Sequence, residues 1–189
     1  MEYFGDKLFS NINFYEVDFT IGEYDQCTFQ LCDFSEIDLS KCKFISCTFR
    51  DCNLSMSKLS KTTLCDVEFI GCKILGVDFT LCHDFGLSMS FIQCNLSHSV
   101  FEGMKWKKPY FKQCILYETD FTAAHLSGII FDECDLERTI FSYTNLSNAD
   151  FYTSYNYDLN PSINQLHGAR FSTRGVRGLL TQFKVLIED

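Results

Sequence analysis

Residues 27–54 read CTFQL CDFSE IDLSK CKFIS CTFRD CNL. Divided this way, the third residue of each block is Phe29, Phe34, Leu39, Phe44, Phe49 or Leu54, and the first is Cys27, Cys32, Ile37, Cys42, Cys47 or Cys52. Outward from this stretch, the apolar third position recurs every five residues from Phe4 to Phe79. It resumes at Phe91 and runs to Phe151. Phe85 lies six residues from each side of the break and is expected to be one more centre, flanked by two one-residue bulges. With it, thirty centres take up eighteen of the 20 phenylalanines.

Period five is neither the 3.6 of a helix nor the 2 of a long strand. Two residues before each centre (i−2) the chain places small or apolar side chains, among them Val17, Cys72, Val77, Cys94, Cys114, Ala124, Cys134 and Ala149. Positions i−2 and i share one face of a three-residue strand, so both point inward while i−1, i+1 and i+2 face out and turn a corner. Four corners close a coil of 20 residues. Cysteine spacing supports that closure: Cys32, Cys52 and Cys72 are 20 apart, as are Cys94, Cys114 and Cys134, and the intervening step of 22 absorbs the two bulge residues. Nine of the 11 cysteines fall at i−2, with Cys65 and Cys82 outside the pattern, and are read as reduced core residues. The fold class is an all-β solenoid, a four-sided β-helix over residues 1–155. Residues 156–189 form a short C-terminal helical tail for capping or dimerisation.

In that tail Asn160-Pro161 and Gly168 bracket a short helix. Ser172 or Thr173 caps a second, whose Val176, Leu179, Leu180 and Phe183 form one stripe at i, i+3, i+4 and i+7. Residues 184–187 read as a final strand. The tail either covers the open end of the solenoid or joins two subunits.

The triplets Cys32-Asp33-Phe34, Cys52-Asn53-Leu54, Val77-Asp78-Phe79, Cys94-Asn95-Leu96, Cys134-Asp135-Leu136 and Ala149-Asp150-Phe151 resemble the A(D/N)LXX signature of pentapeptide-repeat proteins over roughly residues 1 to 155. The resemblance implies a right-handed quadrilateral β-helix, about seven and a half coils or 36 Å long at the strand spacing. The tail, with Tyr157-Asp158-Leu159-Asn160-Pro161, Gly168-Ala169-Arg170-Phe171 and Leu179-Leu180, is similar to the end of the topoisomerase-protecting group, the Qnr, McbG and MfpA proteins. That likeness implies a homodimer through Val176, Leu179, Leu180 and Phe183. It also implies an acidic rod that mimics DNA on DNA gyrase or topoisomerase IV and protects the enzyme from quinolones or a peptide toxin. Members of that group often carry long projecting loops, whereas this chain has only the irregularity between Thr80 and Ser90.

Net charge is −9, which disfavours direct nucleic-acid binding and fits either an acidic mimic or a structural and interaction rod for another protein. Residues 1–40 carry −8, residues 41–112 carry +4, residues 113–157 carry −6 and the tail +1. A DNA segment as long as the expected rod would carry roughly 21 phosphate charges, so the mimic is dilute. The acidic ends, with Asp33, Glu36 and Asp38, or Asp132, Glu133, Asp135 and Glu137, are the candidate partner surface, although an acid at i−1 also builds the turn. Lys105, Lys107, Lys108 and Lys112 surround Trp106 as a basic patch, read first as a solvated face and second as a contact for an acidic partner.

Chemistry is not indicated. His83, His98, His125 and His167 have no metal-ligand spacing, and His83 is expected to be buried at an i−2 position. Cys65 and Cys82 have no general base beside them, and a convex rod offers no concave pocket. The expected protein is not an enzyme and uses no metal or cofactor. With no long apolar run or signal peptide, it is expected to reside in the cytoplasm.

Overall fold

The structure, a computed structural model, describes residues 1–186, with Lys108 described in its backbone alone. Its strands among the described residues are β1 (Glu2–Gly5), β2 (Leu8–Ser10), β3 (Gly22–Asp25), β4 (Thr28–Gln30), β5 (Lys43–Ile45), β6 (Thr48–Arg50), β7 (Thr63–Cys65), β8 (Val67–Ile70), β9 (Ser88–Ile92), β10 (Lys107–Lys112) and β11 (Ile130–Asp132). They form two parallel sheets, β1-β3-β5-β7 and β2-β4-β6-β8-β9-β10-β11. Within the longer sheet Phe29 pairs with Phe49 and Phe49 with Phe69, each a step of 20, then Phe69 with Phe91, a step of 22. The other two faces are held by single bridges. One column of them runs Asn13, Asp33, Asn53, Lys73, Asn95, Ile115, Asp135, Tyr155. This is a four-sided β-solenoid of pentapeptide coils.

The centres fill the axis. Phe9, Phe29, Phe49, Phe69, Phe91, Phe111, Phe131, Phe151 and Phe171 stack ring on ring at 4.8–5.5 Å between centroids. Eight such steps span about 40 Å at the strand spacing. A neighbouring column, Phe79, Phe101, Phe121 and Phe141, stacks alike and meets the first edge to face, as at Phe79–Phe91, 5.7 Å.

The i−2 column is small, and its polar members also donate. Cys52 Sγ donates to the Phe29 carbonyl at 3.4 Å and Cys114 Sγ to the Phe91 carbonyl at 3.4 Å. Where the chain has threonine or serine, the bond repeats: Thr119 Oγ1 to Leu96 O at 3.0 Å, Ser154 Oγ to Phe131 O at 2.6 Å. Each reaches the centre of the coil below, 23 residues back, and so satisfies a buried carbonyl. All 11 cysteines are free thiols.

The corners carry backbone strain. Leu31, Glu36, Lys41, Ser46 and Asp51, all at i+2, have φ between 51° and 66°. A left-handed non-glycine residue costs roughly 1–2 kcal/mol. The gain is a bond to the next coil, as from Leu31 N–H to Arg50 O at 2.9 Å. Ahead of the corner, the i−1 side chain accepts the i+1 amide: Asp33 from Ser35 at 2.8 Å, Asp120 from Thr122 at 2.8 Å. The Asp/Asn of the repeat is therefore an Asx turn.

The break is built differently from the expectation. Phe85 is 93% exposed, and Leu87 is the buried centre in its place. Lys107 pairs with Ser88, which puts Leu87 level with Trp106. Cys82, three residues after Phe79, is buried at i−2, and its neighbour His83 is exposed rather than buried. Three residues are thus added between Cys82 and Leu87, and one is lost before Met89, which is buried ahead of Phe91. The added residues form a knuckle, because a buried i−2 position and a buried centre fix the chain on both sides of them.

The pairing also continues beyond residue 155. Gln165 bridges Asn145 and Arg170 bridges Asp150, bringing Leu166 and Phe171 against the core. Asn160 Oδ1 accepts the Ser162 amide at 2.8 Å, so Asn160-Pro161 makes another Asx turn instead of a helix start. Gly168 is a left-handed corner with φ 72°, not a helix end. The second expected helix is two short 3₁₀ turns, Gly175–Leu179 and Thr181–Phe183, and residues 184–186 form no strand. Ile187 lies outside the described residues.

Candidate interaction surface

The two acidic groups occupy opposite parts of the rod. Asp33 and Asp135 stand in one outward column, separated by Asn53, Lys73, Asn95 and Ile115. Five steps place them about 24 Å apart at the strand spacing. Asp33, Asp38 and Asp135 all accept a following amide, from Ser35, Ser40 and Glu137 at 2.8, 2.9 and 3.2 Å. The Ser40 hydroxyl and amide hold the Asp38 carboxyl below its ordinary range. Glu36 and Glu133 are exposed corner residues with φ 62° and 52°. Asp132 lies 3.6 Å from Lys112 and accepts the Thr153 hydroxyl at 3.2 Å. Glu133 ends an amide ladder, accepting from Gln113 at 2.7 Å, which accepts from Gln93 at 3.2 Å. Glu137 is exposed.

The basic patch is divided. Lys105 and Lys107 are exposed on either side of Trp106, which turns inward as a core centre. Lys112 is drawn to Asp132, and the side chain of Lys108 lies outside the described residues. Beneath the knuckle an open cleft of about 580 Å³ is lined by Thr80, Asp84, Leu87, Glu102, Met104 and Trp106, so the rod is not convex everywhere. Among the described residues no group of three or more His, Cys, Asp or Glu side chains is placed to hold a metal ion. No described helix is long and apolar enough to cross a membrane.

The tail closes over the last coil. The Leu159 amide donates to Gly178 O at 2.8 Å, Thr181 Oγ1 bonds Asp158, and Ser172 Oγ accepts the Gly175 amide at 3.0 Å. Tyr157 is buried beneath it. Leu179 packs partly on the core and Leu180 is half-buried, while Val176 and Phe183 stay 42% and 56% exposed. Three residues per turn put Val176 and Leu179 on one side and rotate Leu180 away, so the four do not form a single stripe. A Cβ on Gly178 would collide with the carbonyl oxygen of Tyr157, which cannot move without the coil. Gly178→Ala is expected to undock the tail, read as rapid trypsin cleavage at Arg174 and Arg177 in a rod whose repeats stay resistant. Unchanged cleavage contradicts this docking.

Two family models match the chain: "Pentapeptide repeat region" over residues 22–84 and "Pentapeptide repeats (8 copies)" over residues 114–152. Together they cover 102 of the 189 residues. The chain belongs to the pentapeptide-repeat family. No curated protein matches this pentapeptide-repeat protein significantly in sequence. Its fold is similar to that of trypsin-treated QnrB1, a plasmid-mediated fluoroquinolone resistance protein, with a TM-score of 0.59 and 18% identity over 99% of this chain and 100% of that one. For full-length QnrB1 the TM-score is 0.55, with 20% identity over 97% and 100%.

What the sequence reading missed on this surface is its tyrosines. Tyr117, Tyr152 and Tyr155 sit beside acids of the same or the adjoining coil, and the 20-residue spacing of the coil would have set Tyr117 against Glu137, Tyr152 against Asp132 and Tyr155 against Asp135.

Proposed function

We propose that this pentapeptide-repeat protein binds a type II topoisomerase, DNA gyrase or topoisomerase IV, on the surface that otherwise holds DNA. It thereby protects the enzyme from a quinolone or a peptide toxin. The observation that carries this reading is the match of fold to QnrB1 along nearly the whole of both chains, since QnrB1 is a fluoroquinolone resistance protein. Charge supports it: −8 over residues 1–40 and −6 over residues 113–157 suit a basic, DNA-holding surface and repel phosphates. In this reading two copies join through Val176, Leu179, Leu180 and Phe183. The acidic contacts come from Asp33, Glu36, Asp38, Asp132, Glu133, Asp135 and Glu137.

A second reading, a solenoid that binds some other protein, is favoured by the turn duty of Asp33, Asp38 and Asp135 and by the +4 middle. A supercoiling assay with purified gyrase, run with and without a quinolone, separates the two. The topoisomerase reading expects inhibition by the protein alone, or rescue from the drug. No effect at any protein concentration leaves the second reading.

A further inference from the structure

Two arginines show how this surface takes up a guanidinium. Arg138 lies 3.0 Å from the Glu118 carboxylate, donates to the Tyr117 hydroxyl at 2.7 Å, and sits 5.5 Å from the centre of that ring. Arg170 repeats the arrangement on the next face, 2.7 Å from Asp150 and 5.5 Å from the Tyr152 ring. In both cases one coil supplies a carboxylate and a tyrosine, and the following coil supplies the arginine.

Between these two sites a carboxylate and a tyrosine meet without an arginine, here from successive coils. An open cleft of about 610 Å³ is lined by Glu133, Tyr155, Ile115, Gln113 and Thr153. Asp135 bridges Tyr155 of the following coil. Tyr155 is 50% exposed. Neither Glu133 nor Asp135 joins an ion pair among the described residues. The Asp135 carboxylate is taken up by the chain itself, accepting from Asn156 at 2.9 Å, which leaves Glu133 as the acid of the cleft.

We infer that this cleft is a docking site for an arginine side chain presented by a protein partner. The Tyr155 ring is its stacking face, and Glu133 is its carboxylate. Arginine fits better than lysine because its planar, weakly hydrated guanidinium stacks on a ring while bonding carboxylates in its own plane. The −6 charge of residues 113–157 draws a basic surface toward it. The inference does not depend on which protein the partner is.

Hexa-arginine and hexa-lysine peptides, equal in charge, test it by calorimetry at moderate salt, with the Tyr155 ring followed by NMR. Hexa-arginine is expected to bind roughly tenfold tighter and to shift the Tyr155 ring signals. Tyr155→Leu should bring it down to the hexa-lysine level, whereas Tyr143→Leu, at an exposed tyrosine elsewhere, should leave the preference intact. Glu133→Gln should weaken both peptides. Equal binding of the two peptides overturns the inference, as does an arginine preference that survives Tyr155→Leu. A wild-type dimer that Tyr155→Leu converts to monomer also overturns it, since a second copy of this chain would then be the occupant. None of these readings requires a topoisomerase, so failure here is separate from failure in the supercoiling assay.

Discussion

Phe91→Ala is expected to destabilise the rod by about 3–5 kcal/mol, the usual cost of emptying a buried phenylalanine site. Phe91 is fully buried, stacked at 5.1 Å on both Phe69 and Phe111 and meeting Phe79 and Phe101 edge to face at 5.7 and 5.9 Å. It belongs to β9, which joins the coils before the 22-residue step to those after it. In a solenoid each coil touches only its neighbours, so a lost rung weakens the one interface between the two halves. Urea unfolding should move to a lower midpoint and divide into two transitions. Phe91→Leu should cost far less, since Leu54, Leu96, Leu116 and Leu136 already serve as buried centres. A single, unshifted transition in Phe91→Ala contradicts the stacked-axis account.

Alkaline pH should be the second large effect. Burial pushes the Cys47 thiol up to about 11, and burial with Asp78 and Asp84 pushes Cys82 up to about 12, both from an ordinary 9.0. In the unfolded chain these thiols ionise near pH 9; in the folded one they stay neutral until pH 11–12. Their contribution is therefore complete below pH 9 and is lost as pH rises toward the folded values. Each unit is worth about 1.4 kcal/mol per thiol, so the two together should lose on the order of 5 kcal/mol by pH 11. Urea midpoints at pH 8, 9.5 and 11 measure this. The Cys47→Val, Cys82→Val double variant removes the share of these two thiols and leaves that of the other nine cysteines, lysine and tyrosine. A wild-type midpoint that falls no faster than the variant's contradicts it.

The repeat was legible because thirty equivalent sites tolerate few exceptions, and the 20-residue cysteine spacing defines the coil. Reading failed where one position served two patterns. Phe85 divides the gap between Phe79 and Phe91 evenly and is aromatic, whereas Leu87 does neither, yet Leu87 is the buried one. The better guide was Cys82, a small residue at the normal distance after Phe79. The end of the rod was hidden in the same way. Asn156 and Pro161 occupy two centre positions, which breaks the period before Leu166 and Phe171 resume it. Helix signals at Asn160-Pro161 and Gly168 are also turn signals, and strand pairing with Asn145 and Asp150 decides between them. For the surface, charge counting located the acidic ends. Charge alone does not tell a turn-building acid such as Asp33 from Glu133, which builds no such turn; the place in the repeat does, since Asp33 stands at i−1 and Glu133 at i+2.

Displacement of a fluorescent DNA duplex from gyrase, followed by anisotropy as this protein is added, shows whether the rod takes the place of DNA on the enzyme. The wild type is expected to release the DNA in a salt-dependent manner. The Asp132→Asn, Glu133→Gln double variant should need a several-fold higher concentration. DNA that stays bound at saturating protein contradicts binding at the DNA site, and equal displacement by both forms contradicts the part given to Asp132 and Glu133.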